Sequence, residues 1–370
     1  MIHYWDGFEK QDNGLWTLSG TFTQGSFEET GGRDGGALRH TDTHQSTVLG
    51  LDPLPAFAFG FAVKPEGIEW PIKLFRLWGY CNFTEIHGYE PWGGLSITQN
   101  GQLAWSAGTT TWPGEENWTP GRVDYMGTAI RAGVWTHIEC HVYQSYIHLW
   151  VNGVSLGSQA CDVMNMRHLS YNIGDMPHLP VWPAQIFQFG GASTWQRHDF
   201  PYVWFDDFYI SNYPQDGQSI GDLAVKSYFP LADGSHLDWT PSTGTAHHDM
   251  IDEQPHDGDG TYIHAEEGDV GHIDSFTFDL GETSGTPLIA APIIAARKND
   301  IGPRAARILT RLGAAEVYSD PFWLYSDWPL TEYHHFPAGM ERFDIEHDPN
   351  DDDWTWETLA DAEFGIEIYL

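Results

Sequence analysis

The chain has 370 residues, more than one ordinary β-sandwich needs, and this length predicts two domains. Aromatic residues make up 15% of the chain, so large apolar side chains are available for folded cores and a disordered protein is excluded. The formal net charge of −35 excludes nucleic acid as a main partner, because phosphate binding depends on clustered Lys and Arg.

The sequence contains no apolar run near the ~18 residues that cross a bilayer, which predicts no membrane insertion. Its first ten residues, MIHYWDGFEK, lack the basic and apolar parts of a secretion signal, so we expect a soluble product made in the cytoplasm. Cys81, Cys140 and Cys161 are odd in number and widely spaced, which predicts buried free thiols and neither a disulfide framework nor a zinc site.

Short runs of Val, Ile, Phe, Tyr and Trp alternate along the chain with scattered Gly and Pro, which predicts an all-β fold of turn-connected strands. Asn100-Gly101 and Asn152-Gly153 each follow such a run and predict tight hairpin turns. In the strand predicted over 133–142, one face carries the alternating residues Trp135, His137, Glu139 and His141.

A polar Pro/Gly stretch after residue 213 predicts the boundary between the domains. We predict a first domain over 1–213, a linker over 214–221 and a second domain over 222–370. The part from 214 onward holds 31 acidic and 7 basic side chains, so it would suit a cation, a basic partner surface or a salty medium.

Two segments near the C-terminus have local sequence patterns that predict their secondary structure. Pro292 lies in the middle of the apolar segment 288–298 and would break a helix there, which predicts a strand with an edge or bulge at the proline. A short helix is predicted over 356–363, and the chain ends in a strand pattern over 363–370.

Four short motifs follow one another in the first domain: WDGFE at 5–9, GVWTHIE at 133–139, VNG at 151–153 and DDFYIS at 206–211. This series resembles the laminin-G/concanavalin-A-like domains of bacteriophage virion proteins. The resemblance implies a lectin-like β-sandwich for the first domain.

The second part resembles the portion that accompanies this domain in such proteins, through the segments 221–244, 250–263 and 274–280. It implies two tandem β-sandwich, jelly-roll-type domains. It also implies a component of the virion, in a tail, a fibre or the capsid surface, whose partners are other copies of itself and other virion proteins.

Lectin-like sandwiches also carry glycosidases, which need two carboxylates facing one sugar and hence an even spacing along a strand. The nearest run contains Glu341, Asp344 and Glu346. Glu341 and Asp344 are three positions apart, an odd number, so Glu341 would lie on the strand face opposite to the other two. The G-x-S-x-G pattern at Ser155 begins at a hairpin turn with no helix behind it, so Ser155 is predicted to be an ordinary strand residue. These patterns predict a protein that is not an enzyme.

Acidic turns are the candidate cation sites, and calcium is the ion that their oxygen ligands would suit. The full spacing of a calcium loop is missing, so solvated acidic turns are the competing interpretation, and the sequence establishes no cofactor. One of two adjacent aspartates in a strand is expected to face inward and need hydrogen-bond partners or a cation. The resemblance to phage virion domains implies that the pair at 206–207 is first of all a structural feature near the end of the sandwich. The candidate ligands are Asp206, Asp207, Asp257 and Asp259.

Tryptophans in Gly/Pro-rich, loop-like sequence are candidate glycan contacts, because the C–H face of a sugar stacks on an aromatic ring. The competing interpretation is that these rings pack sandwich edges or an interface between subunits, where aromatics are also enriched. The candidates are Trp92, Trp112, Trp118, Trp182 and Trp195.

Two hypotheses for function follow, both located in the virion. A structural component of the particle would bury the Trp-rich loops between chains, whereas an adhesin would expose them to host surface polysaccharide. A third hypothesis, a polysaccharide-degrading enzyme, needs a carboxylate pair that the sequence does not show.

Overall fold

A computed structural model describes most of the chain. Among the described residues the secondary structure is nearly all β with one α-helix, which confirms the fold class predicted from the sequence. The described residues are 2–6, 16–17, 26–28, 31–33, 37–40, 46–54, 56–68, 72–82, 87–98, 100–109, 120–143, 146–160, 184–190, 202–211, 218–252, 260–266, 268–281, 283–299, 301–324 and 340–370.

The chain divides into two compact units, and unit 1 comprises strand β1 and the residues from Trp16 to Lys226. Its strands are β1 (Ile2–Asp6), β2 (Trp16–Thr17), β3 (Ser26–Glu28), β4 (Ala37–His40), β5 (Ser46–Leu54), β6 (Phe57–Pro65), β7 (Ile72–Asn82), β8 (His87–Ile97), β9 (Gln102–Thr109), β10 (Pro120–Ala129), β11 (Thr136–Val142), β12 (Tyr146–Val151), β13 (Val154–Ala160), β14 (Ala184–Gly190) and β15 (Val203–Ser211).

Two antiparallel sheets form a sandwich in unit 1. Within the described ranges, the first sheet has the order β13-β12-β11-β6-β15-β4-β3, with β1 paired to β15. The second sheet has the order β10-β9-β8-β7-β14-β5-β2. This arrangement agrees with the lectin-like sandwich that the sequence predicted.

Strand β6 shows why the two sheets pack together. Phe57, Phe59 and Phe61 alternate with small residues, so the three rings point to one face of the first sheet and are fully buried. Phe59 meets Phe75 of β7 edge to face with ring centroids 4.6 Å apart, and Phe75 contacts Trp105 of β9 at 6.0 Å. Each such ring stabilises the sandwich by about 1.5–3 kcal/mol.

Both predicted hairpin turns are present. Asn152 and Gly153 join β12 to β13 with positive φ angles of 49° and 73°, which is the geometry of a tight hairpin turn. Gly101 leads into β9 at φ 76°, and a Cβ there would lie 2.5 Å from the carbonyl oxygen of Ile130. Only glycine suits this position. Cys140 in β11 is a buried free thiol, as predicted.

The face of the first sheet that points away from the sandwich core carries a buried polar cluster. Glu139 and His141 of β11 and Tyr209 of β15 are all inaccessible to solvent. A Cβ at Gly60 of β6 would come within 2.4 Å of Cζ of Tyr209, so the glycine makes room for this ring. The placement of Glu139 and His141 on one face agrees with the predicted alternation.

Residues 218–226, here named the strap, cover this cluster. Ser219 Oγ donates to Glu139 Oε2 at 2.5 Å, and the backbone amides of Ile220 and Gly221 donate to the same carboxylate at 2.8 and 3.1 Å. A buried carboxylate needs several donors, and the irregular backbone of the strap supplies them.

Because the strap is part of unit 1, the boundary between the units lies further along the chain than the sequence predicted. The sequence placed the end of the first domain at 213 and a linker over 214–221, whereas the compact units divide between Lys226 and Ser227. The difference arises because Ser219, Ile220 and Gly221, which fall in the predicted linker, are hydrogen-bonded to Glu139 of the first sheet.

Hydrogen bonding also determines the ionisation of Glu139. Burial alone would raise its pKa, but the bonds from His141, Ser219 and the strap amides outweigh burial and lower the pKa from 4.5 to about 2. Because the pKa is lower in the folded state, the ionised carboxylate stabilises the fold above pH 4.5, and this contribution is lost as the pH falls towards 2.

Unit 2 runs from Ser227 to Leu370. Its strands are β16 (Pro230–Leu237), β17 (Thr240–Pro241), β18 (Ile263–His264), β19 (Ile273–Phe278), β20 (Ile293–Ala295), β21 (Ala305–Leu312), β22 (Ala315–Tyr318), β23 (Phe322–Trp323), β24 (Met340–Arg342) and β25 (Glu363–Ile368), with a 3-10 turn at His248–Met250 and the helix α1 at Trp356–Asp361.

The main sheet of unit 2 has the order β16-β19-β25-β21-β22 in the described part of the chain, with β23 paired to β21. One of its faces packs on a core that contains Ile308, Phe322 and Ile366. The pairs β17-β18 and β20-β24 form two further small sheets.

The local signals near the C-terminus are confirmed. Strand β20 begins directly after Pro292, where the sequence predicted a strand and no helix. The predicted helix is α1, whose first turn is capped by Thr355 Oγ1 accepting from the amide of Thr358 at 3.0 Å. No helix in the described ranges is long and apolar enough to span a membrane.

We expect Glu139→Gln to destabilise unit 1 by about 1–3 kcal/mol at neutral pH, because an amide nitrogen would face the donors of the strap. Urea unfolding monitored by Trp fluorescence measures this loss. The difference from the wild type should shrink as the pH falls from 4.5 towards 2, where Glu139 itself becomes protonated. Glu357→Gln at an exposed position is the control. Equal losses for both variants would contradict the role of the strap.

Candidate functional site

Most of the residues predicted to contact glycan or metal lie outside the described part of the chain. For Trp92 the structure describes only the backbone, within β8. Their assignments therefore stay predictions. The residues outside the described ranges are Trp112, Trp118, Trp182, Trp195, Asp257 and Asp259.

The two remaining candidate calcium ligands, Asp206 and Asp207, bind an arginine. The backbone amide of Arg33 donates to Asp206 Oδ2 at 2.6 Å, and Arg33 Nη1 donates to Asp207 Oδ2 at 2.9 Å. Asp207 Oδ1 accepts from the amide of Val225 in the strap at 2.8 Å. Both carboxylates are buried and joined to neighbouring segments of unit 1.

Simple alternation predicted that these adjacent aspartates face opposite sides of the sheet, but the strand is not regular at this point. Asp207 has φ 50°, and the register of β15 against β6 shifts between Asp206 and Tyr209. At this bulge Asp206 accepts from the backbone amide of Arg33, and Asp207 accepts from its guanidinium group. Among the described residues, no three His, Cys, Asp or Glu side chains are grouped to hold a metal ion, and calcium binding stays a prediction.

Ser155 lies in strand β13, as the sequence predicted. Its Oγ is 2.7 Å from His148 Nε2, and His148 Nδ1 is 2.8 Å from Ser158 Oγ. A hydrolase elbow needs a strand, a strained turn and then a helix, usually with a carboxylate orienting the histidine. Here a strand and a second serine take those places, so Ser155 is not part of such an elbow.

The described residues bring a different set of side chains together on the main sheet of unit 2. Ile308 of β21 is buried in the core, so alternation directs Arg307 to the opposite face. Arg307 is paired in register with Glu367 of β25, and its Nε donates to Glu367 Oε2 at 2.5 Å. The pair lies on the face of the sheet opposite the cluster of Ile308, Phe322 and Ile366, a face on which Leu309 of β21 is also buried.

Two tyrosine rings lie beside this ion pair. The Arg307 Cζ is 3.8 Å from the ring centroid of Tyr318 and 5.4 Å from that of Tyr369. Stacking on Tyr318 orients the planar guanidinium group. Tyr369 remains 47% exposed, so its ring is available to a ligand.

Trp323 adds a third ring on the same side. Phe322 is buried in the core, and Trp323, next to it in β23, is directed to the opposite face with 55% of its surface exposed. Trp323 pairs with Ala305 of β21, whose carbonyl also accepts from the amide of Tyr369 at 2.8 Å. The backbones of Trp323 and Tyr369 are thus two strand spacings apart, about 10 Å.

We name this arrangement the Arg307 face; it consists of Arg307, Glu367, Tyr318, Tyr369 and Trp323. Its polar pair keeps hydrogen-bonding capacity, because neither the Nη groups of Arg307 nor Oε1 of Glu367 has a partner among the described residues. The bond to Glu367 raises the pKa of Arg307, so the guanidinium stays charged. The face therefore offers donors, an acceptor and exposed rings side by side.

The sequence analysis missed the Arg307 face because it searched Gly/Pro-rich loops for aromatic residues. A local signal existed: Arg307 interrupts the apolar run at 305–309, and Glu367 alternates with isoleucines at 366 and 368, which is typical of a strand with one polar face. The sequence does not show that β21, β23 and β25 are neighbours.

No protein-family model and no curated protein matches the sequence. Among solved structures, domain 4 of AbnA, a GH43 extracellular arabinanase from Geobacillus stearothermophilus in complex with arabinotriose, is 18% identical with a TM-score of 0.35; 56% of this chain and 91% of that one are covered. The cellulose induced protein Cip1 is 12% identical, with coverages of 57% and 98% and a TM-score of 0.37.

The alginate lyase AlyC3 is a third similar structure, with 9% identity, coverages of 47% and 74% and a TM-score of 0.34. At these identities the likenesses concern the β-rich fold alone. They nevertheless require a correction, because the matches include an arabinanase domain and a lyase. The sequence-based prediction that the chain is not an enzyme is contradicted by this finding.

The neighbours Phe322 and Trp323 should respond oppositely to truncation. Phe322→Ala removes a core ring and should cost about 3–5 kcal/mol of stability. Trp323→Ala removes an exposed ring and should change the free energy of unfolding by less than about 0.5 kcal/mol. Urea titration of each variant measures both. A large loss for Trp323→Ala would mean that this ring has a structural role and is not free for a ligand.

Proposed function

We propose that the chain is a carbohydrate-binding β-sandwich protein and that the Arg307 face contacts the glycan. The supporting observation is that Trp323 and Tyr369 remain 55% and 47% exposed beside an ion pair with unused donors and an acceptor. A sugar ring has an apolar C–H face that stacks on aromatic rings and hydroxyl groups that pair with charged side chains.

The geometry suits an extended ligand. Trp323 and Tyr369 lie about 10 Å apart on either side of β21, so one glycan chain could contact both rings. Arg307 and Glu367 lie next to this path and could hydrogen-bond a hydroxyl group with their Nη donors and Oε1 acceptor. Single exposed rings are common on proteins, whereas rings grouped around one polar pair are typical of a binding site.

The sequence resemblance supports a location for this binding. The motifs shared with phage virion proteins lead us to propose that the chain is a particle component in a tail, a fibre or the capsid surface. Its partners there would be further copies of itself and other virion proteins, and the glycan would belong to the host surface. A subunit interface is the second use of the Arg307 face, because Arg and aromatic residues are enriched in such contacts.

Affinity electrophoresis in gels that contain dissolved polysaccharides tests the glycan contact. The wild type should be retarded by at least one polymer, and Trp323→Ala and Tyr369→Ala should each weaken binding about tenfold or more, a loss of roughly 1.4 kcal/mol. Tyr262→Ala is the matched control, because Tyr262 is also exposed, at 42%, but lies directly before β18 and near His264, in a different small sheet of unit 2. Equal retardation of all variants would contradict the proposed site.

Particles that carry Trp323→Ala distinguish a role in attachment from a role in assembly. If the Arg307 face binds host glycan, particles that carry Trp323→Ala should assemble normally and adsorb to cells more weakly. Electron microscopy and an adsorption assay measure these two outcomes. Loss of assembly with this variant would assign the face to a subunit interface, and absence of the chain from purified particles by mass spectrometry would remove the virion setting.

A further inference from the structure

The charges beside the Arg307 face bear on which glycans it can accept. A second arginine, Arg311, lies four residues further along β21, and this even spacing places it on the same face as Arg307. Its guanidinium is 3.8 Å from Glu316 of β22 and 3.8 Å from Glu363 of β25. Arg311 is therefore flanked by carboxylates on both neighbouring strands.

Carboxylates outnumber arginines in this region. Arg307 is paired with Glu367, and Glu316 also accepts a hydrogen bond from the Tyr318 hydroxyl at 2.9 Å. The Nε2 of His236 lies 3.6 Å from Glu316 and adds a positive charge only when it is protonated. Both guanidinium groups are thus matched by carboxylates of the protein before any ligand arrives.

The ionisation of Tyr318 agrees with this charge balance. Burial and the neighbouring Glu316 raise its pKa to about 12, so a negative charge at this hydroxyl is disfavoured. The bond to Glu367 raises the pKa of Arg307, which means that the same surroundings favour a positive charge.

The wider unit adds repulsion at longer range. Residues 227–370 contain 29 acidic and 6 basic side chains. At physiological ionic strength the field of exposed charges extends about 8 Å, which is comparable to the distance across the Arg307 face. An anionic polymer would therefore be repelled as it approaches.

We propose that the Arg307 face binds uncharged glycans and rejects glycans with carboxylate, sulfate or sialic acid groups. This inference rests on the carbohydrate-binding function proposed above and specifies its ligand class. A neutral hydroxyl group accepts from the Nη groups of Arg307 and donates to Oε1 of Glu367 while their ion pair stays intact. A sugar carboxylate would have to compete with Glu367 for Arg307 and would meet Glu316 and Glu363 nearby.

A panel of polysaccharides tests the ligand class. The neutral polymers are those of glucose, galactose, mannose, xylose and arabinose, and the acidic polymers are alginate, polysialic acid and heparin. We expect at least one neutral polymer to retard the protein, about tenfold more weakly after Trp323→Ala, and no acidic polymer to do so. Retardation by an acidic polymer that depends on Trp323 would overturn the inference and leave carbohydrate binding standing. No retardation by any polymer would overturn the function itself.

A charge substitution tests the cause of the rejection. Glu316→Gln removes one carboxylate beside Arg311 and Tyr318 without touching the Arg307–Glu367 pair. It should leave the affinity for the neutral polymer within about threefold and increase retardation by alginate about tenfold. Glu357→Gln makes the same change in net charge at an exposed position of α1 and should leave alginate excluded. Identical behaviour of the two variants towards alginate would overturn the inference.

Discussion

A β-strand directs successive side chains to opposite faces of its sheet, and both units of this protein depend on that constraint. In β6, phenylalanines fill the sandwich core while Gly60 leaves space on the other side for the ring of Tyr209. In β23, Phe322 enters the core while Trp323 remains exposed. The same alternation that builds each core therefore also decides which side chains are free to meet a ligand.

Burying polar groups on the outer face of the first sheet requires partners, and the chain supplies them from distant segments. The carboxylate of Glu139 accepts hydrogen bonds from His141 and the strap, which stabilise its ionised form and lower its pKa to about 2. Asp206 and Asp207 bind Arg33. Leaving any of these carboxylates without partners would cost several kcal/mol, so these contacts explain why the strap is attached to unit 1.

The polar groups of the Arg307 face differ from this cluster, because the fold orients them but leaves some of their hydrogen-bonding positions without a partner among the described residues. Glu367 and Tyr318 hold the guanidinium of Arg307 in place, while its Nη donors remain open among the described residues. A site that is organised before binding loses less conformational entropy when a ligand arrives. The proposed preference for neutral glycans rests on the surplus of carboxylates around this face, which reflects the strongly acidic composition of the chain.

The sequence by itself determined the all-β class, the turns at Gly101 and Gly153, the strand after Pro292 and the helix α1, because these depend on local backbone preferences. Only the tertiary structure decided that the strap belongs to unit 1 and that three separate strands assemble the Arg307 face. Contacts between residues such as Arg307 and Glu367, far apart in the chain, depend on which strands become neighbours. Strand order results from packing the whole core, and no local pattern encodes it.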